Sequence, residues 1–166
     1  SHGQKIENYA LQIFDAMKKF HGLGTRERLL LQIASILHDC GKFISLRDSS
    51  ACAYNIIMAT EIIGLSHAER EIVAEVVRCN LDAFRYGEGS IRAGKLTAML
   101  RLANAMDRSH HGRLDDGKLQ VKGNKLIIST SYAGNLALET MAVEDKADFF
   151  EEMFGIRPEI RQKRRV

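Results

Sequence analysis

The sequence predicts a mainly α-helical fold of five to six helices, followed near the C-terminus by a small antiparallel sheet of two to three strands. The 166 residues include one proline and no tryptophan, and long stretches are rich in residues that favour helices, such as Leu, Ala, Met, Glu and Arg. Apolar residues recur at helical spacing up to about residue 109. Beyond that point, short apolar runs flank a Gly-Asn pair, which is typical of a β-hairpin.

Five helices are predicted for the first part of the chain, from apolar spacing and from signals at the helix ends. Gly22 can terminate the first, and Thr25 is predicted to be the N-cap of the second. Ser66 and Glu69 are spaced as a capping box for the fourth, and Gly64 is expected to close the third. The predicted ranges are about 6–20, 25–41, 51–63, 67–81 and 91–109, with a glycine-containing loop over 82–90.

The remaining third of the chain is predicted to form a small α+β extension. Strands at about 119–121 and 126–129 enclose the Gly123-Asn124 turn, and a sixth helix at about 138–153 ends at Gly155. Residues 156–160 are expected to return as a third strand. We therefore expect a single domain over residues 1–166, with a helical body to about 112 and the extension from about 113 to 166.

Composition and charge narrow the functional classes. No apolar run reaches the roughly 20 residues that span a bilayer, and the N-terminus does not resemble a signal peptide, so we expect a cytoplasmic protein with no membrane partner. The three cysteines form no CxxC pair, which favours reduced thiols. The net charge is +3, and few aromatic residues are available to stack on bases, so nucleic acid is not an expected partner. Basic residues near the C-terminus either attract a polyanion or form a solvated, frayed end; they are Arg157, Arg161, Lys163, Arg164 and Arg165.

Four residues could converge on one metal-binding pocket. The adjacent His38 and Asp39 lie at a predicted helix end, where they could supply nitrogen and oxygen ligands to a divalent cation. Asp107 continues the apolar stripe of the fifth helix, and a carboxylate buried there requires a partner or a metal. His2 lies on the inward stripe of the first helix. A hydrogen-bonded His-Asp network without metal is the alternative, and His2 could be the remnant of an expression tag.

The order of these residues resembles the HD superfamily of metal-dependent phosphohydrolases, whose pattern is matched by His2, His38, Asp39 and Asp107. The surrounding segments narrow this resemblance to the C-terminal HD-type domain of the exopolyphosphatase and guanosine pentaphosphate phosphatase family. It runs nearly the full length of the chain. The matching segments are LLQIASILHDCGKFI (30–44), GLSHAEREIVAEVVRCN (64–80), MLRLANAMDRS (99–109) and FFEEMFG (149–155).

In that family, an N-terminal pair of actin-like domains hydrolyses phosphoanhydrides and grips phosphate with glycine-rich loops. No such loop occurs in this sequence. The resemblance therefore implies an excised or separately encoded C-terminal region that works with a catalytic N-terminal actin-like region. Its expected contribution is contact with polyphosphate, a wall of the substrate channel, or the interface of a homodimer.

The sequence also departs from the family pattern at two places. Ala51 and Cys79-Asn80 stand where the family often has a histidine and a Tyr-His pair. Because these imidazoles would hold a second cation, we expect at most one divalent cation, with Mg, Mn, Fe and Zn as candidates. Lys42, Arg101 and Arg108 are the candidate contacts to phosphate.

The sequence is also compatible with two other functions. One is an autonomous metal-dependent HD phosphohydrolase that acts on a nucleotide such as guanosine tetra- or pentaphosphate, with His38 and Asp39 as catalytic residues. The other is a non-catalytic docking scaffold.

Overall fold

The computed structural model describes residues 2–38, 49–81 and 91–163, and this part of the chain is mainly α-helical with one small sheet, as predicted. The side chains of residues 2, 3, 49–53 and 79–81 are not described. The predicted loop 82–90 and the predicted helix end near Gly41 lie outside the described residues. The elements are α1 His2–Ala16, α2 Lys18–His21, α3 Thr25–Leu37, α4 Ser49–Ala59, α5 His67–Leu81, α6 Ile91–Met106, β1 Lys118–Lys122, β2 Lys125–Thr130, α7 Ala137–Phe154 and β3 Arg157–Gln162.

Helix α6 forms the centre of the core. It is in contact with α1, α3, α5 and α7, and its buried residues are distributed around the helix instead of forming one stripe. A helix that is apolar on nearly every side can be stable only when its neighbours cover it. Arg101 and Asn104 are half-buried polar exceptions in its C-terminal half, so they mark a side of α6 that is less completely covered.

The first predicted helix is divided at Met17 into α1 and α2. Met17 has φ −93° and ψ 7°, and the chain tightens there, with the Phe20 N–H donating to the Met17 carbonyl at 2.8 Å. The predicted inward residues up to Met17 are buried, but Phe20 is 46% exposed, because the break rotates it away from the core. Gly22 ends α2 in the left-handed conformation at φ 67°.

The helix-start signals were partly correct. The capping box is confirmed, because the Glu69 N–H donates to Ser66 Oγ at 3.1 Å and the Ser66 N–H donates to Glu69 Oε1 at 3.0 Å. The prediction for Thr25 was wrong by one residue: Gly24 is the N-cap, and its N–H donates to Glu27 Oε2 at 3.0 Å. The Glu27 carboxylate supplies the cap from within the helix, so the threonine hydroxyl is not needed at that position.

Helix α4 begins and ends earlier than predicted. It ends at Ala59, where Thr60 Oγ1 donates to the Ile56 carbonyl at 2.6 Å and competes with continued helix formation. Gly64, expected to close this helix directly, instead lies in the following turn at φ 88°.

The sheet is mixed, so the prediction of an antiparallel sheet was wrong for its third strand. Strands β1 and β2 form the predicted antiparallel hairpin around Gly123 and Asn124. Strand β3 pairs with β2 in parallel, from Lys125 opposite Arg157 to Thr130 opposite Gln162. Helix α7 carries the chain back along the sheet before β3 begins, and a strand that follows such a crossover must run parallel.

Two of the C-terminal basic residues belong to β3 instead of a frayed end. Arg157 Nη1 lies 2.9 Å from carboxylate oxygens of both Asp148 and Glu151, and Arg161 Nη2 lies 3.1 Å from Glu159 Oε2. These nearby acids reduce the attraction of both arginines for a polyanion. Arg164 and Arg165 lie outside the described residues. In the described ranges, no helix has the length and apolar character needed to cross a membrane.

His21 is a fully buried side chain whose protonation state is defined by its neighbours. The Leu23 N–H donates to Nδ1 at 2.8 Å, so Nδ1 carries no proton. Nε2 therefore donates to the Phe14 carbonyl, at 3.0 Å. Burial is the main cause that lowers the pKa of His21, which makes the neutral ring the form that the fold accommodates.

We expect the protein to lose stability in mild acid because of His21. Its contribution is fully present above the unfolded pKa of about 6.5 and is lost as the pH falls through the lower pKa of the folded state. Urea unfolding between pH 8 and 5 measures this effect. The variant His21→Gln should be less stable at pH 8 but should show a shallower decline on acidification. An equally steep decline in the variant would contradict this assignment.

Candidate functional site

A groove of about 670 Å³ lies between the C-terminal end of α6 and the N-terminal half of α7. Arg101, Asn104 and Arg108 follow one another at spacings of three and four, so they share one face of the helix and its following turn. The facing side belongs to α7. The lining residues are Arg101, Asn104, Ala105, Asp107, Arg108, His110, Leu138, Met141, Ala142, Asp145 and Lys146.

Positive charge predominates among the side chains that reach solvent in this groove. Arg101 lies with its guanidinium carbon 4.9 Å from the centre of the Phe149 ring, a contact that restrains the side chain while leaving its charge intact. Arg108 is exposed. Lys146 lies 3.2 Å from Asp145, whose side chain is 73% exposed, so this pair contributes little net charge. Outside this pair, the charged residues that line the groove are Arg101, Arg108 and the buried Asp107.

Asp107 is buried at the inner end of the groove, with 1% exposure. Its burial is as predicted from the apolar stripe. Its Oδ1 accepts the Gly112 N–H at 3.1 Å, and its backbone carbonyl accepts the His110 N–H at 2.9 Å. Asp107 thus organises the loop that follows α6, in addition to any role at the groove.

The same loop is held against α1 by Asp115. Lys5 Nζ lies 2.9 Å from Asp115 Oδ2, and the Tyr9 hydroxyl donates to Asp115 Oδ1 at 2.5 Å. Burial acts to raise the pKa of Asp115, but the hydrogen bonds from Tyr9 and Lys5 outweigh it and hold the pKa below its usual value. Burial, followed by the bond to Asp115, raises the pKa of Tyr9. The carboxylate is therefore kept ionised beside a phenol that keeps its proton.

Helix α7 is joined to this loop as well. The Ser109 hydroxyl donates to Glu139 Oε1, and Glu139 is fully buried in the first turn of α7. Arg113 Nη1 lies 3.9 Å from the other oxygen of Glu139. Because Ser109 follows α6 and Glu139 lies in the first turn of α7, this contact connects the two helices that form the sides of the groove.

His38 lies elsewhere, at the C-cap of α3, with 1% exposure. Its Nδ1 is 2.6 Å from the Ser35 carbonyl oxygen. A carbonyl only accepts, so Nδ1 carries the proton, and Nε2 is the nitrogen through which a neutral His38 ring would bind a metal. His38 is not among the residues that line the groove.

The predicted site residues are therefore only partly brought together. The groove includes Arg101, Arg108 and Asp107, but Asp39, Lys42 and the side chain of His2 lie outside the described residues. In the part of the chain that the structure describes, no group of three or more His, Cys, Asp or Glu side chains is arranged to hold a metal ion.

Sequence reasoning missed the α7 side of the groove. Leu138, Met141, Ala142 and Lys146 recur at helical spacing, which indicates that they share a face. The spacing does not indicate that this face lies against the arginines of α6. Only the packing of the two helices brings Lys146 near them.

A family model described as Ppx/GppA phosphatase, domain III, matches residues 1–145 of the chain. The match includes α1 to α6, the hairpin and the first half of α7. A comparison with curated protein sequences gives no match.

Replacement by alanine should destabilise the protein more at Gly112 than at Gly123, although the two glycines share one backbone conformation. Gly112 and Gly123 both have φ 61°. A Cβ at Gly112 would collide with Lys5 Nζ and Asp115 Oδ2, whereas a Cβ at Gly123 meets no atom within 4 Å. We expect Gly123→Ala to cost about 1 kcal/mol from backbone strain and Gly112→Ala about 2 to 3 kcal/mol, measured by urea unfolding. Equal losses would show that the contact between the loop and α1 contributes nothing.

Proposed function

This chain belongs to the Ppx/GppA phosphatase family as its C-terminal domain III, and we propose that its α6–α7 groove binds the phosphate chain of the substrate of an exopolyphosphatase-type hydrolase. One observation carries the proposal: Arg101, Asn104 and Arg108 line a single groove, in which basic residues outnumber acidic ones by three to two. In this proposal the domain holds the substrate, while the family's actin-like region performs hydrolysis.

The chemistry of these side chains suits phosphate. A guanidinium group offers several N–H donors in a planar fork that matches two phosphate oxygens, and it keeps its charge at all physiological pH values. The Asn104 side chain carries an amide, whose N–H groups are also donors suited to phosphate oxygens. The stacking of Arg101 on Phe149 restricts its rotamers in advance, so less side-chain entropy is lost when an anion binds.

The spacing of the arginines favours an extended anion over a single phosphate. Arg101 and Arg108 are seven residues apart, about two helical turns, which corresponds to roughly 10 Å along the axis. Two cations at that separation can contact different phosphates of one chain. Leu138 and Met141, which are 53% and 69% exposed, give the opposite wall an apolar edge, and the one exposed carboxylate of that wall, Asp145, lies 3.2 Å from Lys146.

Arg108→Gln tests this proposal, with Arg92→Gln as a matched control. Both residues are exposed arginines: Arg108 follows the C-terminal end of α6, and Arg92 lies near its N-terminal end. Arg92 is 3.5 Å from Glu27 and does not line the groove. We expect Arg108→Gln to weaken polyphosphate binding about tenfold, as the loss of one charge-assisted hydrogen bond of about 1.5 kcal/mol predicts.

A salt titration provides the second measurement. The slope of log affinity against log salt should fall by about one for Arg108→Gln and should stay unchanged for Arg92→Gln. Equal binding by both variants would overturn the groove as the site. Failure of the unaltered protein to bind polyphosphate at low salt would favour the docking scaffold instead.

We also propose a second function, because the tautomer of His38 favours it: an autonomous metal-dependent phosphohydrolase that acts on guanosine tetra- or pentaphosphate. His38 offers Nε2 to a cation, and Asp39, Asp107 and His2 would complete the ligands. The fit of Asp107 is partial, since one of its oxygens already accepts the Gly112 N–H. A bound divalent cation would acidify water and polarise a phosphoryl oxygen.

Metal content distinguishes this function from the first. If it is correct, protein equilibrated with Mn²⁺ or Zn²⁺ and then desalted should retain about one equivalent by elemental analysis, in line with one site. His38→Gln should retain none. Nucleotide hydrolysis with Mg²⁺ or Mn²⁺ should disappear in Asp39→Ala. Protein that retains no metal and hydrolyses no nucleotide would exclude this second function and leave the first intact.

A further inference from the structure

We propose that strand β1 is a docking edge for an extended acidic peptide, which adds to the sheet as a fourth strand. The described sheet has the order β1-β2-β3, so β1 lies at one edge. An edge strand presents backbone N–H and C=O groups with which another chain can pair. No residue of β1 lines the α6–α7 groove, so the inference does not depend on the function proposed for that groove.

The backbone groups of Leu119 and Val121 face the free edge of β1. The Thr130 carbonyl accepts the Lys163 N–H at 2.8 Å, so this residue of β2 directs its backbone towards β3. Because successive residues of a strand direct their backbone groups to alternate sides, Ile127 faces β1, where it lies opposite the middle residue of that strand. Leu119 and Val121, on either side of that position, therefore face away from β2. Among the described residues, their N–H and C=O groups have no hydrogen-bond partner.

The lysines of β1 differ from the other basic residues of the sheet in their ion pairs. In β2, Lys125 lies 3.5 Å from Glu159 of the neighbouring strand, and both arginines of β3 have carboxylate partners. Lys118 and Lys122 belong to no ion pair in the part of the chain that the structure describes. The positive charges of the sheet are therefore matched by acids on the β3 side and left unmatched at the β1 edge.

The alternation of side chains along β1 indicates the chemistry of the added strand. Leu119 and Val121 are half-buried against the core, whereas Lys118, Gln120 and Lys122 are exposed on the other face. Side chains directly opposite each other in paired strands interact, and opposite charges stabilise the pair. The partner that fits is an extended segment with two carboxylates four residues apart and with β-branched or apolar residues on its other face.

The same lysines disfavour a second copy of this chain as the occupant. If two β1 strands paired antiparallel about Gln120, Lys118 of each copy would lie opposite Lys122 of the other. Like charges directly opposite each other destabilise paired strands, and lysines on edge strands commonly prevent aggregation in this way. An acidic strand converts both repulsive pairs into attractive ones, so the two lysines select for that partner and against self-pairing.

The experiment uses the full chain and three capped peptides of seven residues. The probe is Thr-Glu-Val-Thr-Val-Glu-Thr, which reads the same in both directions and therefore presents one pattern to β1 in either strand orientation. The first control, Thr-Lys-Val-Thr-Val-Lys-Thr, reverses the charges. The second control, Thr-Val-Glu-Thr-Glu-Val-Thr, has the composition of the probe but places its carboxylates two residues apart. Binding is measured by NMR titration at low salt, together with hydrogen exchange of the backbone amides.

We expect the probe to bind about tenfold more tightly than either control, because only the probe places a carboxylate opposite each lysine. Exchange of the Leu119 and Val121 amides should slow on binding, since these N–H groups become hydrogen-bonded. Binding without slower exchange at these two positions would indicate attraction by charge alone and would overturn the inference. Failure of the probe to bind would overturn it as well, and would leave the lysines with only their protective role.

Lys122→Gln tests the charge pair, with Lys163→Gln as the matched control. Both lysines are exposed, but Lys163 follows β3 at the opposite edge of the sheet. Lys122→Gln should weaken binding of the probe about threefold, as the loss of one cross-strand charge pair predicts. Lys163→Gln should bind the probe as the unaltered protein does. Equal affinities of the two variants for the probe would contradict docking at β1.

Discussion

The buried carboxylate of Asp107 is the constraint on which the rest of the site depends. It lies just past the end of the central helix and is almost entirely removed from solvent, where an ionised oxygen is unfavourable unless it is hydrogen-bonded. The N–H of Gly112 supplies such a bond and thereby draws the following loop back over the helix end. Arg108 and His110 lie within this returning segment, so their positions at the groove follow from how Asp107 is accommodated.

Contacts with two helices, α1 and α7, hold the loop in position. Lys5 and Tyr9 bring Asp115 against α1, while Ser109 connects the loop to the buried Glu139 of α7. Each contact joins a loop residue to a helix that is itself packed on α6. Because the arginine face of α6 and the first turns of α7 are held to the same loop, the two walls of the groove keep a defined separation. A groove ordered in advance loses less entropy when it binds an anion.

The elements that could be predicted are those defined by contacts between residues close together in the sequence. The capping box of Ser66 and Glu69 involves residues three apart, and the hairpin at Gly123 depends on a two-residue turn, so both were predictable. The direction of β3 was not predictable, because its residues could pair with β2 in either orientation. The path of α7 determines the end of the sheet at which β3 begins, and therefore that β3 runs parallel to β2. The exposure of Phe20 was also not predictable, since it depends on the break at Met17.

The sequence by itself determined the helical class, the burial of Asp107 just past the end of α6, and the shared face of Arg101 and Arg108, because periodicity along one helix defines which side chains lie together. It also carried the family resemblance that the match to domain III confirms. Only the tertiary structure decided that Lys146 and Met141 of α7 face those arginines, and that His110 adopts positive φ above Asp107. These features arise from packing between segments about 30 residues or more apart and from a turn closed by a buried charge, and no local pattern of residue types encodes either.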